Sequence, residues 1–190
     1  MSTHPVADHH APLARLTLRQ LAVGRAVLAL LWALALVLAV GDDVPRTSSD
    51  VPVAAAALLA AYPLIDVVAS LPTAAGTGAA ARLARLTAAV GLLAVLAVGL
   101  AAFGSDAGAT LVAFGAWAAV SGALLLVTAL RRRGEGGRLP LLVSGGLSTL
   151  AGLAFVAAGG REDAQLAGIA GYMALGAVLY LVWALRTREA

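Results

Sequence analysis

Cysteine is absent from the 190 residues. Disulfides, thiolate catalysis and Cys-based metal sites are thereby excluded. Lysine is absent as well, and all thirteen basic residues are Arg. Alongside so much Ala and Gly, that preference reads as coding bias rather than chemistry. Charged residues make up 12% of the chain, against about 25% in a soluble domain. The pI of about 10.2 comes from few charges, and no basic face on a soluble domain is available for nucleic acid. The histidines are His4, His9 and His10, in a short tail of Pro, Ala and polar residues, and no metal site is expected there. The apolar runs hold no His, and the chain has no HExxH, GxSxG or phosphate loop. Neither catalysis nor a cofactor is expected.

What is present is apolar. Hydrophobic residues make up 61% of the chain, and the mean hydropathy is +0.93. A soluble fold of this size cannot hide so much apolar surface, so the solvent is largely lipid. The runs are rich in Ala, Leu and Val and do not alternate, which points to helices rather than a barrel. A span needs roughly twenty residues, and six runs qualify: Leu21–Val40, Val51–Leu71, Leu86–Phe103, Ala109–Leu130, Leu139–Ala158 and Ala164–Leu185. Gly, Pro, Asp and Ser clusters separate them, as turn chemistry does. The first run is too long for a signal-peptide core and reads as a retained helix. The expected fold is an all-α polytopic membrane bundle of six helices. Residues 1–18 and 188–190 are tails, and 19–187 form the transmembrane domain.

Charge orients the bundle. Every Arg except Arg46 and Arg161 falls on one side, in the N-terminal tail and first turn, the second and fourth connections, or the C-terminus. Asp42, Asp43, Asp50, Asp106, Glu162 and Asp163 fall on the other. By the positive-inside rule both termini are cytoplasmic, in a multi-pass protein of the cytoplasmic (inner) membrane. Arg131, Arg132 and Arg133 are first of all topology determinants, with anionic headgroups as a second reading. Tyr180 and Trp183 read as an interfacial belt.

A period of 55 runs through the chain. Tyr62, Trp117 and Tyr172 stand 55 residues apart, and Asp66, Ser121 and Gly176 follow each by four. The pairs Arg19 and Gly41, Arg82 and Gly104, and Arg138 and Gly160 are each 22 apart. Three two-helix repeats follow, over about 19–72, 82–131 and 138–186. Each unit returns the chain to the same side, so the copies are related by an axis along the membrane normal. The simplest arrangement is three helical hairpins, with the even-numbered helices innermost. Small-residue stripes at Ser144, Ser148 and Gly152, at Gly115, Ala119 and Ala123, and at Gly168, Tyr172 and Gly176 suit close helix packing or self-association into a homo-oligomer. The bilayer is the one partner the composition itself names; soluble partners are not legible.

Asp66 is the sharpest candidate for function. It is the only acid well inside an apolar run, and an intramembrane acid costs several kcal/mol unless paired or hydrated. It lies about 7–8 Å along its helix from the Arg-rich end, and Arg25 lies about 6–9 Å in from the same face. An Arg25–Asp66 contact is expected between antiparallel neighbours. Its structural reading, an ion pair fixing the first hairpin, is favoured over a proton-sensitive or solute-contacting site, because a carboxylate beside Arg is a poor proton switch. Pro63 is expected to kink the second helix. Tyr62, Asp66 and Ser70 share one helical face, a weak signature of a small pocket.

Several stretches resemble a known family. Phe114 to Arg131 resembles the repeated helix of HdeD-like membrane proteins, and Leu142 to Gly152 resembles the helix that follows it there. Tyr62 to Asp66 is similar to that family's aromatic-x-x-x-Asp segment, although Val67 stands where Gly is usual. Gly171-Tyr172 and Ala184-Leu185-Arg186 resemble the motif in the sixth helix. The resemblance covers roughly residues 20–188. It implies a small six-helix inner-membrane protein, non-enzymatic, in a class partly linked to acid-stress resistance and without an established molecular activity. Envelope or acid-stress tolerance is the function it implies. The alternative from the residues is a small-solute or proton permease or channel with a polar site at Asp66 and Arg25.

Overall fold

A computed structural model describes residues 18–41, 46–131, 138–162 and 166–186. The described chain is helical, without a β-strand. Seven helices follow in order: α1 (Leu18–Val40), α2 (Val53–Ala61), α3 (Leu64–Ala74), α4 (Gly78–Gly104), α5 (Ala107–Arg131), α6 (Arg138–Ala158) and α7 (Ala167–Arg186). Four segments are long and apolar enough to cross a membrane: Val53–Ala74, Gly78–Gly104, Ala107–Arg131 and Leu141–Ala158. Two shorter apolar helices, Ala26–Val40 and Ala167–Leu179, accompany them. Large apolar side chains cover the outside. On α4 alone, Leu93, Leu96, Leu100 and Phe103 are exposed. An apolar surface on this scale suits lipid, and the fold is that of a helical membrane bundle.

Pro63 does more than bend a helix. It has no N–H, so the carbonyl of Leu59 has no helical donor. The helix breaks at Tyr62–Pro63 into α2 and α3. The ladder tightens there, with Ile65 N–H donating to Tyr62 O at 3.1 Å and Asp66 N–H to Pro63 O at 3.2 Å. Trp32 of α1 steadies the break by donating Nε1–H to Leu58 O at 3.1 Å. Pro72, expected to end this helix, lies inside α3, which runs on to Ala74. Arg85 caps that end, donating Nε–H to Ala74 O and Nη2–H to Gly76 O, each at 2.9 Å. Gly78, at φ +84°, turns the chain into α4. Arg82 and Arg85 therefore stand on the first turns of α4 and not in a connection, because the helix starts well before Leu86.

Helix pairing departs from three packed hairpins. The most extensive contacts join α5 to α6, α1 to α7 and α3 to α4. Each tight pair couples the descending half of one expected hairpin to the ascending half of the next, and the last helix closes on the first. For two of these pairs, α5–α6 and α3–α4, glycines are the physical reason. Gly108, Gly115 and Gly122 of α5 face Gly159, Gly152 and Gly145 of α6, one pair per two turns. A Cβ added at Gly115 would sit 2.7 Å from Gly152 O, one at Gly122 2.7 Å from Gly145 O, and one at Gly159 2.7 Å from Gly108 O. Only hydrogen fits between these backbones. On the next pair, a Cβ at Gly91 of α4 would meet Val67 Cγ2 at 2.6 Å and Pro63 O at 3.3 Å. Lipid gives helices no hydrophobic drive to pair, so such close approach decides which faces meet. The Gly115 and Gly152 stripes are thus used within the chain.

Residues 46–50 lie across the end opposite the Arg-rich one. Gly108 N–H donates to Thr47 O and Ala107 N–H to Ser49 O, each at 2.9 Å. Thr47 Oγ1 donates to Arg161 O in the turn after α6. Asp106 caps α5 by accepting from Ala109 N–H at 2.7 Å. Free N–H groups at the start of α5 are satisfied in this way.

Candidate functional site

The centre of the bundle is aromatic. Phe114 is fully buried and sits among the rings of Tyr62, Trp117, Phe155 and Tyr172, at centroid distances of 5.9, 5.1, 6.3 and 6.4 Å. Trp117 meets Tyr62 edge-on at 5.8 Å. Edge-to-face pairs add about 0.5–1.5 kcal/mol each beyond burial, so this cluster is a stiff plate across the bundle.

Against the plate lies a cavity of about 100 Å³. A water needs about 10–15 Å³ on this measure, so there is room for several. Tyr62 and Asp66 line it from the break and α3. Trp117 and Ser121 do so from α5, and Tyr172 and Gly176 from α7. The three aromatic positions of the 55-residue period and the three positions four residues on thus share one wall. α6 adds Ser144 and Ser148, α1 adds Leu28 and Ala29, and α4 adds nothing. The lining occupies the middle of the helices and their Arg-rich half.

Hydroxyl chemistry differs around the wall. Ser148 Oγ and Tyr172 Oη are hydrogen-bonded at 2.8 Å. Elsewhere in the bundle Thr87, Thr128 and Thr149 donate to the carbonyl four residues back, the usual way a helix hides a hydroxyl. Ser121 does not. Ser121 Oγ and Trp117 Nε1 are buried and meet no hydrogen-bond partner, in residues only 8% and 7% exposed. Leaving a buried donor unsatisfied costs about 1–3 kcal/mol. The two groups lie one turn apart on α5, in residues that both line the cavity.

The expected site residues separate on this geometry. Tyr62, Asp66, Trp117, Ser121, Tyr172 and Gly176 come together at the cavity. Pro63 is buried at the break, with its carbonyl toward Gly91. Ser70 is not on the wall: its hydroxyl donates to Asp66 O at 2.7 Å, satisfied by its own helix. The Arg25 side chain lies outside the described residues, and with it the Arg25–Asp66 contact. The same holds for the histidine tail, Asp42, Asp43, Arg132, Arg133 and Asp163, and for the side chains of Tyr180 and Trp183. Ser144 and Ser148 looked like part of one packing stripe with Gly152. Gly152 packs against α5, whereas the two serines line the cavity. A hydroxyl four and eight residues from a glycine, deep in an apolar run, was the available signal.

The chain matches no family model, no curated protein and no solved structure.

Proposed function

We propose that this is a six-helix membrane protein that binds a small polar solute in the central cavity and passes it across the bilayer. The observation that carries this reading is a largely apolar cavity that reaches Asp66 and has Ser144, Ser148 and Tyr172 among its lining. A dry, closed bundle would speak for a purely structural role, whereas a wall bearing Asp66, Ser148 and Tyr172 has groups to hold a polar guest. Four segments already satisfy the length and apolarity of a span. α1 and α7, at 23 and 20 residues, are about 30–35 Å long, which supports six crossings. The shared wall of Tyr62, Trp117 and Tyr172 supports three repeats. The Arg bias supports cytoplasmic termini in the inner membrane.

The HdeD resemblance sets this pathway in envelope or acid-stress tolerance, and survival of a deletion strain at low pH tests that setting. The direct test of the pathway is solute flux into proteoliposomes of the full chain. Flux above that of empty liposomes is expected. Flux equal to empty liposomes for neutral, anionic and cationic small solutes alike would leave a purely structural membrane protein.

A further inference from the structure

We infer that the cavity takes a small neutral solute of the amide class, whose carbonyl oxygen accepts from Trp117 Nε1–H and Ser121 Oγ–H. The inference rests on the solute-cavity reading above and names the chemistry of the guest.

Trp117 is the stronger of the two observations. Its indole N–H is a donor only, it is fixed by a rigid ring, and it meets no partner. Ser121 can turn its hydroxyl onto the carbonyl of residue 117, but the indole has no such escape. The missing group is therefore an acceptor. An ammonium or amidinium ion offers no lone pair to this donor. A carboxylate offers one, but Asp66 already puts a carboxyl group among the lining, and two carboxyl groups in one small cavity disfavour each other's charge. A neutral carbonyl compound meets both conditions. Its N–H groups find acceptors in the hydroxyl oxygens of the Ser148–Tyr172 pair. A flat amide also suits a wall of aromatic rings, on which it stacks. A volume of about 100 Å³ limits the guest to a handful of non-hydrogen atoms, about as many as the waters it replaces. Both polar atoms are covered by neighbouring side chains, so binding at them requires those side chains to move.

Three planar isosteres separate the possibilities: acetamide (neutral), acetate (anionic) and acetamidinium (cationic). Calorimetric titration of each into the purified full chain in nanodiscs is expected to show saturable binding of acetamide and weaker or no binding of the two ions. Trp117→Phe, with ring packing retained, is expected to weaken acetamide about tenfold, the loss of roughly one 1.4 kcal/mol step. Ser121→Ala, a smaller change, should weaken it in the same direction even where Trp117→Phe fails to fold. Preferential binding of acetamidinium or acetate would overturn the neutral-guest inference and leave the solute cavity standing. Unchanged acetamide affinity in a folded Trp117→Phe protein would overturn the assigned contact. Binding of none of the three would remove both the inference and the reading beneath it.

Discussion

Gly115 of α5 and Gly152 of α6 face each other so closely that a Cβ on Gly115 would stand 2.7 Å from the carbonyl oxygen of Gly152. The contact is reciprocal, and a Cβ on Gly152 would fall on Gly115 O and the Ala119 backbone. Both obstructing groups are backbone, so neither can swing aside. This pair holds Trp117 and Ser121 on one helix opposite Ser144 and Ser148 on the other, and so fixes two walls of the cavity.

Gly152→Ala is therefore expected to force α5 and α6 apart and destabilise the fold by about 1–3 kcal/mol. Gly146, on the same helix, meets nothing within 4 Å of an added Cβ. Gly146→Ala should be neutral or stabilising by up to about 1 kcal/mol, the helix penalty of glycine being removed. Thermal unfolding of both variants in detergent compares them. Equal melting temperatures would remove the glycine pairing as the cause of the α5–α6 contact.

The cap at the other end of α5 gives a second, independent stability prediction. Asp106 accepts from Ala109 N–H at 2.7 Å, and the same helix start is bonded by Thr47 and Ser49. Asp106→Ala should cost about 0.5–2 kcal/mol, with Asp106→Asn or Asp106→Ser restoring most of it. Hydrogen exchange at the start of α5 is the local readout: the amide of Ala109 should lose protection before those of Phe114 or Trp117.

Asp66→Asn keeps the shape of the wall and replaces its carboxyl group with an amide. With a neutral guest, acetamide affinity should stay within about threefold of the parent, while acetate binding rises to within about tenfold of it. Loss of acetamide binding with a folded protein would instead make the carboxylate itself the principal contact. Titration of the two ligands against this variant decides between these outcomes.

Part of this site was legible in the sequence, because a helix keeps residues four apart on one face. Tyr62, Trp117 and Tyr172 stood out by their constant spacing though not as parts of one cavity, and Pro63 marked the place of a kink that is a full break. The pairing of helices was not legible. Gly108, Gly115 and Gly122 lie in one helix and Gly145, Gly152 and Gly159 in another, and their meaning appears only when the two antiparallel backbones touch. Nor was the role of Thr47, whose bonds to Gly108 and Arg161 depend on how three distant turns converge. Ser70 misled for a related reason: its position on the Asp66 face was visible, but its bond to its own backbone was not.

Passage of a solute through the cavity is tested most directly at Gly176. This residue lines the cavity, and a Cβ built there meets nothing within 4 Å. A larger side chain at this position therefore starts from open space beside the cavity rather than from a close helix contact. Gly171, on the same helix, is exposed and equally free of neighbours, so Gly171→Leu is the matched control. Stopped-flow acetamide uptake is measured in proteoliposomes carrying the parent chain, Gly176→Leu or Gly171→Leu, each confirmed folded by circular dichroism. The predicted result is uptake at the empty-liposome level for Gly176→Leu and parental uptake for Gly171→Leu. Parental uptake by a folded Gly176→Leu protein would contradict passage through this cavity.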